Sequence, residues 1–508
     1  MGLPGILLAI PISIIALLWW YLHIPWNLPN LPRIPFYVSI LGLWSDMGQD
    51  DIYDRWLRKP LEKHGAALIW FAGRWSILVI RPDLLTDMFR NEDIYAKAGS
   101  QKKIPWSVIA SLVGDNIINS HGENWKLYTS IMKPGMQRKN FDTGLLLNKS
   151  RRLVDKLLEE QDVAGDGKGI LTDSYVQKYA VDVMGQNFLD LDFEAQALEQ
   201  PHNAVRLEAL QSIIKRTLFK PLFFNFPDLD KYPWLFSSRK TAYRIMFEFE
   251  DKLFNTVCEH LNRRREKGVT TTEMVSHMLE EAYRDGRINE QQFRDNLKIT
   301  FLTAHENAQQ LINSTFWELG RNKEVQSRLR TEIQNTNTAI PTAEAVNRLP
   351  YLTSVIYELL RLYPPVSQLI NRVTLEPALL GGKIPIPKNT FVGWNSFGVH
   401  NNPDVWGPDA GKFMPERWGS TVGEMHAKFR RETVRGTYIP FNAHTRKCLG
   451  QGFVLLQMKI FLFELLRRVE WRVDPGYKKK MTPGGILAPL GCRVILRELG
   501  PVEDRASE

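Results

Sequence analysis

Of the chain's 508 residues, those with the most chemistry in a fixed spacing lie between Phe441 and Gly450. The run reads Phe441-Asn442-Ala443-His444-Thr445-Arg446-Lys447-Cys448-Leu449-Gly450, and a long apolar stretch suited to a helix follows. A cysteine before a helix is commonly a small buried hydrophobe. Here it is framed by an aromatic ring seven residues earlier, a guanidinium two earlier and a glycine two later. A helix N-terminus and a neighbouring cation both lower a thiol's pKa, so Cys448 is expected to act as a thiolate, with Arg446 as the cation. Amides just after the cysteine can hydrogen-bond its sulfur, and Gly450 lets the backbone approach a flat group closely. A thiolate held in this way suits haem iron, to which it donates electron density that favours O–O cleavage.

Further motifs fall upstream. Glu358-Leu359-Leu360-Arg361 places an acid and a base three apart on a helix, with Leu362-Tyr363-Pro364-Pro365 behind it, and Phe413-Met414-Pro415-Glu416-Arg417-Trp418 follows later. With the cysteine run, these residues resemble the cytochrome P-450 family, over about residues 30 to 498. The resemblance implies a mainly α fold with small β-sheets, a bound haem b with Cys448 as axial iron ligand, and a buried charge network of Glu358, Arg361 and Arg417. It implies that Trp125, Arg372 and Arg446 hold the haem propionates, with Phe441, His444 and Gly450 forming the cysteine loop. Two positions depart from the family. His444 stands where a glycine is usual, which removes backbone freedom. Thr129 stands where a basic residue is usual, so either one propionate is held less tightly or Lys126 or His444 substitutes.

The family's distal helix matches Thr303-Ala304-His305-Glu306-Asn307-Ala308. Ala304 leaves room for oxygen, Glu306 is the acid expected to feed protons, and Asn307 replaces the usual threonine. An amide can hydrogen-bond oxygen but cannot relay a proton as a hydroxyl does. Oxygen insertion and radical coupling or desaturation therefore both remain open. The Glu-Asn pairing after His305 is similar to that of fungal spore-wall enzymes that couple formylated tyrosines, and of related secondary-metabolism oxidases. By family position, Trp106, Ile109, Leu112, Phe219, Val366, Leu369, Ile486 and Leu487 are expected to line an apolar pocket with few polar anchors. Phe223, Phe224 and Phe226 are expected beside Phe219 in a membrane-facing region.

The elements that must position these groups are legible from pattern. Ala66–Phe71 and Trp75–Ile80 read as a hairpin around Ala72-Gly73-Arg74. Amphipathic helices are expected near 144–160, 172–188, 240–267, 292–320, 350–362 and 450–468. No repeat, low-complexity tract or linker divides the body. The expected layout is a membrane anchor at 1–24, a proline-rich hinge at 25–36, a haem-thiolate domain at 37–498 and a polar tail at 499–508.

Residues 1 to 32 carry no Asp, Glu, Lys or Arg, and Leu3 to Leu22 is apolar enough to cross a bilayer core of about 30 Å as one helix. Trp19, Trp20 and Tyr21 at its end suit the headgroup belt, and Arg33 after it places the body on the cytosolic side. The expectation is a single-pass protein of the endoplasmic reticulum. Pro25, Pro29, Pro32 and Pro35 are expected to form a stiff hinge that lifts the body off the membrane. Cysteines at only three positions exclude a disulfide framework and fit a reducing compartment. The net charge, 65 − 56 = +9, is mildly basic. Its basic runs read as solvated faces, so nucleic acid is not an expected partner.

No dinucleotide-binding glycine loop or fused flavin region appears. The resemblance therefore implies a separate NADPH–cytochrome reductase, which Lys126, Lys133 and Lys447 could meet. The expected function is a monooxygenase acting on a small apolar substrate, aromatic or derived from an amino acid. Coupling or desaturation without oxygen insertion, and a reductase-independent haem-thiolate isomerase, are the alternatives.

Overall fold

The computed structural model describes residue 13 and residues 16–197, 220–269, 273–336 and 338–500. Most of the expected anchor, Phe219 and the polar tail lie outside these residues. Among the described residues no helix is long and apolar enough to cross a membrane.

The helices used below are α1 (Val108–Val113), α2 (Glu123–Met136), α3 (Thr143–Ala164), α4 (Asp173–Met184), α5 (Ser237–Glu266), α6 (Val275–Arg284), α7 (Glu290–Arg321), α8 (Pro350–Leu362), α9 (Val422–Val434) and α10 (Gln451–Arg468). The longest, α7, starts at a capping box in which Asn289 and Gln292 satisfy each other's backbone N–H. Its 32 residues extend about 48 Å, enough to cross the whole body. Nearly every residue of α7 on either side of 302–307 is buried, so it forms the spine of a large helical core shared with α3, α4, α8 and α10.

A second core lies under a five-stranded sheet. In spatial order it runs β1 (Ala66–Phe71), β2 (Arg74–Val79), β5 (Phe391–Asn395), β4 (Gln368–Thr374) and β3 (Tyr95–Lys97), antiparallel except between β2 and β5. The β1–β2 turn is two residues, Ala72 at φ 47° and Gly73 at φ 79°, the left-handed pair that matches strand twist. A Cβ on Gly73 would lie 2.8 Å from the Pro227 ring, so glycine is also needed for the close approach of residues 226–231.

One irregularity matters for function. In β4, Ile370 pairs with Gly393 but Arg372 pairs with Val392, leaving Asn371 as an extra residue. A bulge of this kind reverses the alternation of side chains. It turns Arg372 inward, where it is fully buried.

The proline-rich segment does not stand clear of the body. Ile34 N–H donates to Leu68 O at 2.9 Å and Leu68 N–H to Pro32 O at 2.8 Å. Trp75 Nε1 donates to Leu22 O at 2.9 Å, and Tyr21 Oη to Asp228 at 2.9 Å. Rigid φ angles at the prolines let the segment lie flat along the hairpin, so residues 21–34 are packed down rather than lifted.

Glu358 and Arg361 are fully buried and bonded twice, at 2.8 and 2.9 Å. The same carboxylate accepts from Arg417 Nε at 2.8 Å, Trp418 Nε1 at 3.1 Å and Met414 N–H at 3.0 Å. Removing one charge from such a group strands the others, at a cost of about 3–5 kcal/mol. Glu358→Gln is therefore expected to lower unfolding free energy by an amount in that range, read from urea denaturation of the haem-loaded protein. A loss under 1 kcal/mol would show that the network is dispensable.

Candidate active site

Cys448 sits one turn before α10, at the end of a loop closed by its own N–H donating to Phe441 O at 2.8 Å. The loop is tight: Asn442 and His444 adopt φ 60° and 56°, left-handed values that disfavour a side chain. The glycine expected at 444 is thus the easier residue, and His444 holds the same backbone at some strain. The Nε2 atom of His444 is buried without a partner, and burial, then the nearby Arg90, lowers its pKa.

The thiol's pKa is raised because it lies deep among protein atoms, and the backbone N–H groups of Gly450 and Gln451 act against that rise. Lys447 opposes that rise. Arg446, expected to favour the thiolate, is engaged elsewhere: its guanidinium reaches Glu92 and Ser120 O rather than the sulfur. Cys448 is nevertheless uncovered on one side. A Cβ on Gly450 would meet only Cys448 Sγ, at 4.0 Å, and one on Gly452 would meet nothing within 4 Å. Open space therefore borders the thiol where a flat cofactor must approach.

Beside this loop lies a dense group of cations. Arg446 stacks over the Trp125 ring at 3.9 Å and pairs with Glu92. Arg372 approaches the same carboxylate at 3.5 Å, and His121 lies 3.7 Å from it. Lys97 is buried next to both arginines, whose charge adds to burial in lowering its pKa well below the usual lysine value. Burial lowers Arg372 to about 10. Burial alone would raise Glu92, but Arg446 and Arg372 outweigh it and hold the carboxyl below its ordinary range.

Three basic groups, Lys97, Arg372 and Arg446, face one carboxylate, Glu92, a formal charge of 3 − 1 = +2. Arg372 Nε and Nη2, Arg446 Nη1 and His121 Nδ1 are buried without a hydrogen-bond partner. Such groups are costly unless something accepts from them. The two propionates of haem supply both the missing charge and the missing acceptors, so these residues fit the group. Glu92, Lys97 and His121 were not singled out from the sequence. A lysine inside the short apolar run Ile94-Tyr95-Ala96-Lys97-Ala98 was the available signal. Neither substitute expected for the missing base at Thr129 lies in the cluster: Lys126 is exposed and paired with Glu123 at 2.8 Å, and His444 faces Arg90.

The middle of α7 is where its burial breaks. Leu302, Thr303, Ala304, Glu306, Asn307 and Gln310 are half-exposed in a helix that is otherwise largely buried along its middle and C-terminal half. Thr303 Oγ1 donates to Ile299 O at 2.7 Å, and Asn307 Nδ2 to Thr303 O at 3.1 Å. The amide donor is therefore turned back onto the helix, and Asn307 Oδ1 is left buried and unpartnered.

The expected pocket residues separate. Val366 is exposed, and Trp106, Leu369 and Ile486 are half-exposed. Ile109, Leu112 and Leu487 are packed into the main core instead, because α1 lies between α5 and α7 and presses its apolar face against them. Phe223 is buried against Arg239 and Phe236, while Tyr232, Trp234 and Leu235 are the exposed apolar groups of that region. The loop bearing Trp106 and α1 is held from two sides. Asp230, bound to Arg239, accepts from Val108 N–H at 3.0 Å, and Asp295 and Asn296 of α7 accept from Asp115 and Ile117 N–H at 3.0 Å each.

A mainly helical body with a loop cysteine at a helix start, open space beside its sulfur and a cation cluster matched to a dicarboxylate cofactor defines a haem-thiolate enzyme. Residues 29–492 match the family model described as cytochrome P450. The chain is 73% identical over 478 residues to cytochrome P450 monooxygenase xanG of Aspergillus fumigatus, covering 94% of this chain and 88% of that protein. It is 35% identical over 476 residues to cytochrome P450-DIT2 of Saccharomyces cerevisiae, covering 93% and 94% of the two chains. The crystal structure of a cytochrome P450DA mutant heme domain superposes with TM-score 0.77 at 19% identity, over 94% of this chain and 99% of that one, and so shares the fold. The chain belongs to the cytochrome P450 family: it is a haem-thiolate oxidoreductase of the monooxygenase type.

Cys448→Ala is expected to abolish the thiolate-type absorption band of the ferrous–CO form. Arg372→Leu is expected to keep that band but to speed haem transfer to apomyoglobin, since one charge-assisted donor of about 1.5–3 kcal/mol is lost. Wild-type haem retention in Arg372→Leu would remove the cation cluster from haem binding.

Proposed function

We propose that this protein is a membrane-anchored monooxygenase of a small, apolar, aromatic or amino-acid-derived secondary metabolite, with electrons drawn from an NADPH-dependent flavoprotein reductase. The observation that carries the reading is the pairing of the Cys448 thiol, open on one side, with the cluster of Lys97, Arg372 and Arg446 beside it. Cys448 would ligate the iron, Arg372, Arg446, Lys97 and Trp125 would hold the propionates, and Phe441, His444 and Gly450 would shape the loop. Haem, when bound, supplies the oxygen-activating redox chemistry. Lys126, Lys133 and Thr129 border a shallow groove on α2 beside Trp125, a surface suited with Lys447 to an acidic reductase.

Residues 1–24 are assigned as the single-pass anchor of the endoplasmic reticulum, 37–498 as the catalytic domain on its cytosolic side and 499–508 as a tail. The exposed Trp19 and Trp20 support this, standing at the end of the apolar run where indoles prefer the interface. Residues 25–36 join the two as a packed strap.

On the oxygen side, Ala304 leaves room, and Glu306 is the acid that would feed protons from the half-exposed face. Half-exposed Trp106, Leu369 and Ile486 and exposed Val366 are the apolar groups best placed to meet a substrate. A second reading has its own support. Asn307 spends its donor on Thr303 O and offers no hydroxyl, so proton transfer lacks the usual relay. Slow proton delivery favours coupling or desaturation of a substrate radical over oxygen insertion.

The test is incubation with a reductase, NADPH and ¹⁸O₂, followed by mass spectrometry of extract from a strain lacking the gene. One heavy oxygen in the product is the expected result. A dimer or a product short of two hydrogens would select the second reading, and product formed without NADPH would select an isomerase. Asn307→Thr is expected to raise insertion relative to coupling; an unchanged ratio would discard the relay argument.

A further inference from the structure

Lys103 is a basic side chain in surroundings built for apolar groups. It is 3% exposed, and its Nζ lies 4.7 Å from the centre of the Phe71 ring and 4.8 Å from that of Phe391. Among the described residues Nζ has one hydrogen bond, to Ile370 O at 3.5 Å, which is long for such a bond, although an ammonium has three donors. No carboxylate among the described residues acts on it; burial, then the charge of Arg74, lowers its pKa well below the usual lysine value. Contact with two rings offsets only part of the cost of taking an ammonium out of water.

Arg74 deepens the imbalance. Its guanidinium stacks on the same Phe391 ring at 4.7 Å and donates through Nη2 to Lys103 O, while Nε is buried without a partner. The carboxylate that acts on Arg74, Asp228, is already bonded to Lys231 at 2.6 Å and to Tyr21 at 2.9 Å. Two basic side chains therefore share one ring, each with a donor that the protein leaves underused. The place adjoins the positions argued above to meet a substrate. Ile370 follows Leu369, Lys103 lies three residues before Trp106, and the Phe71 ring packs on Phe224 at 5.0 Å. An anionic group of a small molecule supplies both the missing charge and the missing acceptor. A lipid headgroup would need an open surface, which so buried an amine does not offer.

We propose that Lys103 is the anchor for a carboxylate of the substrate, with Arg74 reinforcing the positive field, so that the protein takes an aromatic carboxylic acid in preference to its neutral analogues. That these acids are substrates rests on the monooxygenase reading; the carboxylate site does not. The long bond to Ile370 O is readily exchanged for the ligand, and the flexible four-carbon stem lets Nζ follow it. The role is binding and orientation, and no covalent bond forms or breaks at Lys103.

Equilibrium dialysis of the haem-loaded protein without NADPH tests the site, using phenylacetate and N-acetylphenylalanine, each against its methyl ester. Wild type is expected to bind at least one acid about tenfold more tightly than its ester, the ratio set by one charge-assisted hydrogen bond. Lys103→Met keeps the length of the stem and removes the charge. It is expected to abolish the preference while leaving the melting temperature at or above that of wild type, because an uncompensated buried charge is gone. Arg74→Gln, an independent variant, is expected to lower the ratio severalfold. No acid preference in wild type, or an unchanged ratio in either folded variant, overturns the proposal. A lower melting temperature in Lys103→Met with the ratio unchanged would assign the lysine to packing alone. A protein that prefers the acids but inserts no oxygen into them would count against the proposed function and leave the site standing.

Discussion

A single carboxylate organises the thiol side of this molecule. Glu358 has no exposure to solvent, yet it accepts from two arginines, an indole and a backbone amide. Its partner Arg361 spends its remaining donors on the carbonyls of His400, Ala410 and Lys412. The irregular chain from 400 to 418 is thereby tied to α8 through charge-assisted bonds that no water can replace. The tie extends to the cysteine loop. His400, kept neutral by burial and by the charge of Arg361, accepts from Ile439 N–H at 2.8 Å, and Tyr438 Oη donates to Tyr357 O at 2.8 Å. The strained turn at Asn442 and His444 persists because its flank is over-determined in this way.

Two sides of the site use opposite electrostatics. Around Arg372 and Arg446 the protein leaves donors and positive charge unsatisfied. Along α7 it leaves acceptors unsatisfied, because Thr303 and Asn307 both donate to carbonyls four residues back. The first arrangement suits an anionic edge of a cofactor; the second suits water. Each is expensive when empty, so the native protein depends on what fills it.

The loop that carries Trp106 lies between these regions and is unusually well fastened for a loop. Arg239 and Asp230 form a pair with 1% exposure each, and Lys298 reaches Glu250, Asp295 and Ser111 O. Moving this loop therefore requires breaking buried polar bonds on α5 or α7.

How much of this was legible in the chain follows physical lines. The cysteine loop, the Glu358–Arg361 motif, the β1–β2 hairpin and the six amphipathic helices could be read because each depends on residues close in sequence. The glycine-preferring backbone at His444 was legible too, as a departure whose φ of 56° the structure bears out. What sequence could not say was which charges meet. Glu92 and Arg446 are 354 positions apart, and Lys97 joins them only because β3 pairs with β4. Arg372 faces inward only because a bulge at Asn371 reverses the strand's alternation, and a one-residue shift of that kind leaves no mark on composition or period. Local spacing determined the ligand and its helix; the closing of distant segments decided the charge around it, because burial and ion pairing are properties of the packed chain.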